Sequence, residues 1–286
     1  MIRPSVLTGI TTRDRATILP KALAAALVQN VVNSRVAVLD DGSKDSTFEL
    51  REQFPQVQWI RRTTNIGLIS ARNELMAIQG VDYFVSLDDD AWFIQGDEIA
   101  VAVEFLERNK PVAAIAFDIL SPDRSKKVAR KPPELAATFI GCGHVLRLSA
   151  VREVGAYEST PGGYGGEEKD LCLRLMDAGY QIVRLPGVHV WHDKTPQARQ
   201  LPAQHRSGVC NDLVMALRRT PTFLLPLALP FKFARHFSFS WKRKLTRPCL
   251  EGFVLFIKSI PSVWRSRKPV QFQTLKKFMR LSAGTP

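Results

Sequence analysis

Cysteine is scarce in this 286-residue sequence: Cys142, Cys172, Cys210 and Cys249 are scattered, with no CxxC pair and no metal-spaced Cys/His cluster. This argues against a disulfide scaffold or a structural zinc site and for reduced thiols. The apolar stretch near the N-terminus is only four or five residues long, too short for a signal-peptide core, so a cytoplasmic location is expected. No uninterrupted run approaches the roughly 20 apolar residues of a spanning helix. Pro226, Pro230 and Lys232 interrupt the best candidate. Repeats and low-complexity tracts are missing as well. Acidic residues almost vanish late in the chain: residues 201–286 hold 16 Lys/Arg against 2 Asp/Glu, whereas 1–200 hold 24 against 25. The net charge of +13 therefore describes a partner of the C-terminal segment and not the chemistry of the first two hundred residues.

What remains is the composition of a folded protein, 45% hydrophobic and 23% charged. Apolar runs at 5–10, 36–39 and 83–87 read as buried strands, and 18–32, 45–54 and 70–79 between them read as helices. The alternation points to an α/β fold with a mostly parallel sheet flanked by helices. From about Pro196 the texture changes. Prolines at 202, 221, 226, 230, 248, 261 and 269 are expected to break the remainder into short apolar and aromatic helices flanked by Arg/Lys. A catalytic domain over 1–200 and a basic amphipathic helical extension over 201–286 follow.

In open α/β sheets ligands bind beyond the carboxyl ends of the strands. Three polar clusters should meet there: Thr11-Thr12-Arg13-Asp14, Asp40-Asp41-Gly42-Ser43 and Asp88-Asp89-Asp90. Three adjacent carboxylates repel one another unless a cation sits among them, so Asp88-Asp89-Asp90 suits a hard divalent ion that also holds phosphate. Acids also populate turns and caps, and Ser43 or Asp45 could simply cap a helix. Arg72, a few residues into a helix, could pair with a diphosphate oxygen or make a surface salt bridge. Gly162-Gly163-Tyr164-Gly165-Gly166 leads into a helix of about three turns that starts Glu167-Glu168-Lys169-Asp170 and has Gly179 at its end. Four glycines in five residues weaken local order, which fits a segment that moves or passes close to a ligand. Val188-His189-Val190-Trp191-His192 alternates and reads as a strand delivering His192 to the same edge.

Taken in order, TTRDR, LDDGSKD, NIGLISARN, SLDDDA, FIGCGHVLRLSAVREVG, GGEEKDLCLRLMDAGY and HVWH resemble the family 2 glycosyltransferases of the GT-A fold over about residues 4–195. Residues 196–286 are similar to the basic helical tails of bacterial members acting on envelope polysaccharides. The resemblance implies inverting transfer of a sugar from a nucleotide diphosphate sugar donor to a saccharide or lipid-linked acceptor, in cell-envelope polysaccharide or glycolipid synthesis. It implies that Thr12, Asp41, Arg72 and Asp88 bind the nucleotide, and that Asp90 and His192 hold Mg²⁺ or Mn²⁺. Gly141, Gly143, His144 and Glu167 would lie near the donor sugar or acceptor, and Glu168 would be the catalytic base. Two positions depart from the family pattern: Thr12-Arg13-Asp14-Arg15 replaces Thr-Tyr-Asn-Arg, and Glu167-Glu168 replaces Glu-Asp, which leaves Glu167 and Asp170 as alternative bases. The basic, aromatic C-terminal segment fits an anionic membrane surface, with the protein peripheral at the inner face of the plasma membrane. Nucleic acid is not expected, because recognition motifs are lacking and acidic strand ends repel phosphate. A nucleic-acid-binding protein and a catalytically silent nucleotide-sugar-binding protein are the competing readings.

Overall fold

The computed structural model describes residues 4–163, 165–194 and 201–283. Tyr164 of the glycine-rich loop, and 195–200 with Pro196 and the expected domain boundary, lie outside the described residues. The three expected strands form, and each extends into its acidic or hydroxyl-bearing end: β1 (Val6–Thr12), β2 (Ser34–Asp41) and, after β3 (Gln58–Arg62), β4 (Tyr83–Asp88). They are followed by β5 (Ala91–Phe93), β6 (Val112–Leu120), β7 (Glu134–Leu135), β8 (Gly143–Arg147) and β9 (Gln181–His192). The sheet order is β3-β2-β1-β4-β8-β6-β9-β5, with β7 on β9. Its β3-β2-β1-β4 half is parallel, as the strand–helix alternation requires. Beyond it β8 runs antiparallel to both β4 and β6, so the sheet as a whole is mixed.

Side chains alternate across this sheet into two cores. Val6, Ile10, Val36, Val38, Tyr83 and Val85 pack on one face with α1 (Leu19–Leu27) and with α3 (Glu98–Arg108). Leu7, Ala37, Leu39 and Phe84 pack on the other with α2 (Leu68–Met76), α4 (Leu148–Val154) and α5 (Glu167–Asp177). The helix expected over 18–32 stops at Leu27, because Gln29 turns inward to donate to Glu98 and to accept from the Ile99 amide. The 45–54 segment is a 3₁₀ helix over Ser46–Glu52. Asp45 caps it through the Thr47 amide and also accepts from Ala16, so the capping alternative holds at Asp45.

Residues 201–283 form long helices and not the short ones expected: α6 (Leu201–Arg219), α7 (Leu225–Lys242), α8 (Thr246–Arg265) and α9 (Phe272–Ala283). Pro202, Pro226 and Pro248 stand in first turns, where a missing N–H costs nothing. Pro230 and Pro261 lie inside α7 and α8, but both face solvent, so water can satisfy the carbonyls they orphan. Val209, Leu213, Leu217, Cys249, Phe256 and Val263 build a third core among α6, α7 and α8. A Cβ at Gly252 would lie 2.7 Å from the Arg206 carbonyl, so glycine permits the close approach of α8 to α6. Arg219 of α6 then clamps Asp170 of α5 at 2.6 Å, tying the basic segment to the helix that carries Glu168.

Candidate active site

Strand register brings the predicted residues to one edge. Thr12 lies opposite Asp40, and Thr11 opposite Asp88. Thr12 donates through Oγ1 to Asp89 at 2.9 Å. Burial pushes the Asp89 carboxyl up to about 7, although Arg15 and the Thr12 hydroxyl pull the other way. Asp41 accepts from the Ile66 and Gly67 amides at 2.6 and 3.0 Å, which fixes the loop entering α2. Its carboxylate thus anchors the loop that presents Arg72.

Pairing of β5 with β9 sets Ala91 opposite His192 and so places Asp90 beside that histidine. His192 Nε2 lies 3.2 Å from Asp90 Oδ1, and its Nδ1 lies 3.4 Å from Cys142 Sγ. Ligand-capable atoms of Asp88, Cys142 and His192 all lie within 4.8 Å of one another. That cluster holds one carboxylate, one thiol and one imidazole, and Asp90 beside His192 adds a second carboxylate, so its carboxylate oxygens and imidazole suit a divalent cation such as Mn²⁺. Cys142 escaped the sequence reading because no metal-type spacing marks it. Only the sheet, with β6 between β8 and β9, carries Cys142 just before β8 to His192 at the end of β9.

Arg72 joins Asp88 at the end of β4 to the carboxylates at the start of α5. Its side chain is 4% exposed, with a guanidinium nitrogen 2.7 Å from Asp88 and another 3.5 and 3.4 Å from Glu167 and Glu168. Burial opposes its charge, but Asp88 and Glu168 outweigh that and keep the guanidinium protonated. Gly141 passes directly over this group. A Cβ there would stand 2.5 Å from Glu168 Oε1 and 2.9 Å from both terminal nitrogens of Arg72. Gly141→Ala is accordingly expected to displace both side chains and lower turnover by about 100-fold, on the order of what a misplacement of 1 Å costs. Steady-state kinetics checks this, with circular dichroism to establish that the fold is kept.

Gly143 and His144 are placed differently. A Cβ at Gly143 would meet Ile119 at 2.7 Å inside the sheet, so its small size serves packing. His144 is fully buried on β8, stacked 4.0 Å from Phe139, with Nδ1 3.0 Å from the Ile140 carbonyl and Nε2 2.8 Å from the Tyr157 hydroxyl. Burial and the nearby Arg72 lower its pKa to about 3, which leaves a neutral ring beneath the site.

The three carboxylates at the start of α5 differ sharply. Asp170 is held by Arg174 at 2.8 Å and Arg219 at 2.6 Å, a structural clamp that removes it as a proton acceptor. Glu167 is 1% exposed, and its Oε2 has no hydrogen-bond partner among the described residues. Glu168 alone of the three lines a cavity of about 370 Å³, with Thr138–Gly141, Gly165, Lys169, Gly208, Asp212 and Met215. Burial, then repulsion from Glu167, raises its carboxyl to about 7 against the pull of Arg72. A larger cavity of about 440 Å³, lined by Asp118, Arg124, Arg184 and Arg280, also borders the 138–140 segment but contains none of the candidate site residues.

Helix α6 supplies residues that the sequence reading missed. Asn211 accepts from the Gly162 amide at 2.9 Å and donates to the Gly165 carbonyl at 2.8 Å, holding the described ends of the glycine-rich loop. Asp212 forms part of the cavity wall opposite Glu168. No local motif marks either residue, because their roles exist only once α6 packs beside α5.

The family described as Glycosyl transferase family 2 matches residues 8–154, and the N-terminal domain of galactosyltransferase family matches 126–199. A protein of Mycobacterium tuberculosis, Pre-mycofactocin glycosyltransferase, is 28% identical over 218 residues, covering 68% of this chain. The chain spans 46% of that relative's length. Among solved structures, the mannosyltransferase PcManGT from Pyrobaculum calidifontis, in complex with GDP-Man and Mn²⁺, superposes with a TM-score of 0.61 at 14% identity, covering 99% of this chain and 80% of its own. GalNAc-T7 with UDP, GalNAc and Mn²⁺ gives a TM-score of 0.63 at 14% identity, covering 77% and 49%. These likenesses establish the GT-A fold.

Proposed function

Because the chain belongs to glycosyl transferase family 2, we propose that it transfers a sugar, with inversion, from a nucleoside diphosphate sugar to an acceptor hydroxyl. The observation that carries this reading is the Arg72 bridge, which joins Asp88 on the donor side to Glu168 in the cavity wall. The acceptor oxygen attacks the anomeric carbon, its proton passes to Glu168, and the bond from that carbon to the diphosphate oxygen breaks. Thr12, Asp41 and Asp88 would frame the nucleotide, and Arg72 would offset charge on the phosphates. Asp90 and His192 would hold Mg²⁺ or Mn²⁺, whose charge offsets that of the departing diphosphate. UDP or GDP-Man with Mn²⁺ in proteins of the same fold supports such a donor and ion.

Residues 1–200 would act as the catalytic unit, and 201–286 as a basic helical extension reaching an anionic membrane. The acceptor would be a saccharide or a lipid-linked saccharide of the cell envelope, met at the cytoplasmic face. No helix among the described residues is long and apolar enough to cross a membrane, which fits a peripheral contact. The test is thermal stabilisation and hydrolysis across a panel of nucleoside diphosphate sugars, each with Mn²⁺, Mg²⁺ or chelator. At least one donor is expected to raise the melting temperature only when the ion is present. Stabilisation by none of them would defeat the reading.

A further inference from the structure

The C-terminal helices carry apolar surface that no described residue covers. On α7, Leu227, Phe231 and Trp241 are 74%, 67% and 69% exposed. Pro230, Ala234 and Phe237 are exposed between them. Steps of three and four residues align all six along one side of the helix, away from buried Leu225 and Ser240. Helix α8 repeats the arrangement. Its Cys249, Gly252, Phe256 and Val263 are buried, while Leu250, Val254, Ile257 and Trp264 form a second stripe, each about half exposed. Scattered exposed apolar residues need no explanation, but two continuous stripes on neighbouring helices do. Cations frame them: Lys242 ends α7, Arg243 and Lys244 lie in the turn between the helices, and Arg247, Lys258 and Arg265 lie exposed along α8.

We propose that the outward stripes of α7 and α8 dock on an anionic phospholipid bilayer, with apolar side chains among the acyl chains and flanking Lys/Arg on the headgroups. The proposal rests on the lipid-linked-acceptor form of the function above. Charge selects this occupant. A second copy on the same face would press together two segments that each hold 16 cations and 2 acids. Nucleic acid would neutralise the cations but leave two aliphatic and aromatic stripes in water, whereas an anionic bilayer satisfies both. Tryptophans at the stripe ends suit the interface, which solvates an apolar ring and its N–H together.

The placement has a functional consequence. Asp212, in the wall of the Glu168 cavity, takes Lys232 at 2.7 Å, Arg235 at 3.0 Å and His236 at 2.8 Å, all from α7. The helix proposed to dock is therefore ion-paired to a residue in the wall of the Glu168 cavity, which couples the docking surface to the candidate site.

Vesicle flotation with the full chain tests this. The protein is expected to float with mixed phosphatidylglycerol and phosphatidylcholine vesicles, to remain behind with phosphatidylcholine alone, and to detach as salt is raised. Replacing Leu227, Phe231 and Trp241 together by Ser, or Val254, Ile257 and Trp264 together by Ser, should weaken partitioning at least about tenfold. Circular dichroism and donor stabilisation should stay as in the parent. Loss in either variant supports the contact. Retention in both, absence of flotation by the parent, or a concentration-dependent dimer that both variants abolish overturns it. If the parent binds a donor but does not float, only the docking fails. If it floats but binds no nucleoside diphosphate sugar, the transfer reading fails instead.

Discussion

Replacing Glu168 by Gln is expected to lower sugar transfer by about 10²- to 10⁴-fold while leaving metal-dependent stabilisation by the donor intact. Glutamine keeps the shape of the side chain and one acceptor oxygen for Arg72 but cannot take the acceptor's proton. Burial and the neighbouring Glu167 hold the Glu168 carboxyl near 7, so the parent should depend on pH. A raised carboxyl is protonated, and inactive as a base, below its pKa. The rate should therefore rise as pH increases through about 7 and fall about tenfold per unit below it. Initial rates at saturating donor across this range, for parent and variant, check both statements. Parent-like turnover in the variant would move the base elsewhere, and Glu167 would be the remaining carboxylate because Asp170 is locked between Arg174 and Arg219.

Arg72→Met is expected to destabilise the fold by about 3–5 kcal/mol, the usual penalty for removing one partner from a buried ion cluster. The loss arises less from the missing attraction than from what stays behind: Glu167, 1% exposed, and the partly buried Glu168 and Asp88 would face each other without a cation. Acid should relieve this. Glu168, raised to about 7 by burial and by Glu167 even against the pull of Arg72, is neutral at pH 5, so the deficit relative to the parent shrinks from about pH 8 to about pH 5. Urea unfolding at the two pH values measures the change. Arg72→Lys should recover only part of the stability, since an ammonium cannot reach three carboxylates as a planar guanidinium does.

Strand ends were legible because buried strands need continuous apolar runs and ligand-binding edges need polar residues directly after them. Thr12, Asp41 and Asp88 could thus be assigned to one edge from their positions along the chain, and the parallel register of β1 with β2 and β4 brings them there. Helix ends were less legible. Gln29 looks like any polar residue in a helix until Glu98 arrives from 69 positions away. Proline was misjudged for a related reason: Pro230 and Pro261 break a helix only if the orphaned carbonyl is buried, and exposure is a tertiary property. His144 matched a family position near the sugar, yet an imidazole on β8 points to whichever face the register selects, and here that is the interior.

The order of motifs along the chain by itself determined the family and the set of carboxylates from which the proposed base is drawn. Apolar periodicity likewise settled the α/β class, because period and strand-end polarity are local properties. Which of these carboxylates is clamped and which lines a cavity was decided only in three dimensions: Arg219, 49 residues beyond Asp170, clamps that carboxylate, while Glu168 is left in the cavity wall. Cys142 beside His192, Asn211 on the glycine-rich loop and the outward stripes of α7 and α8 belong to the same category. Each depends on distances and exposures between segments far apart in sequence, and burial energies act on the folded surface and not on the order of residues.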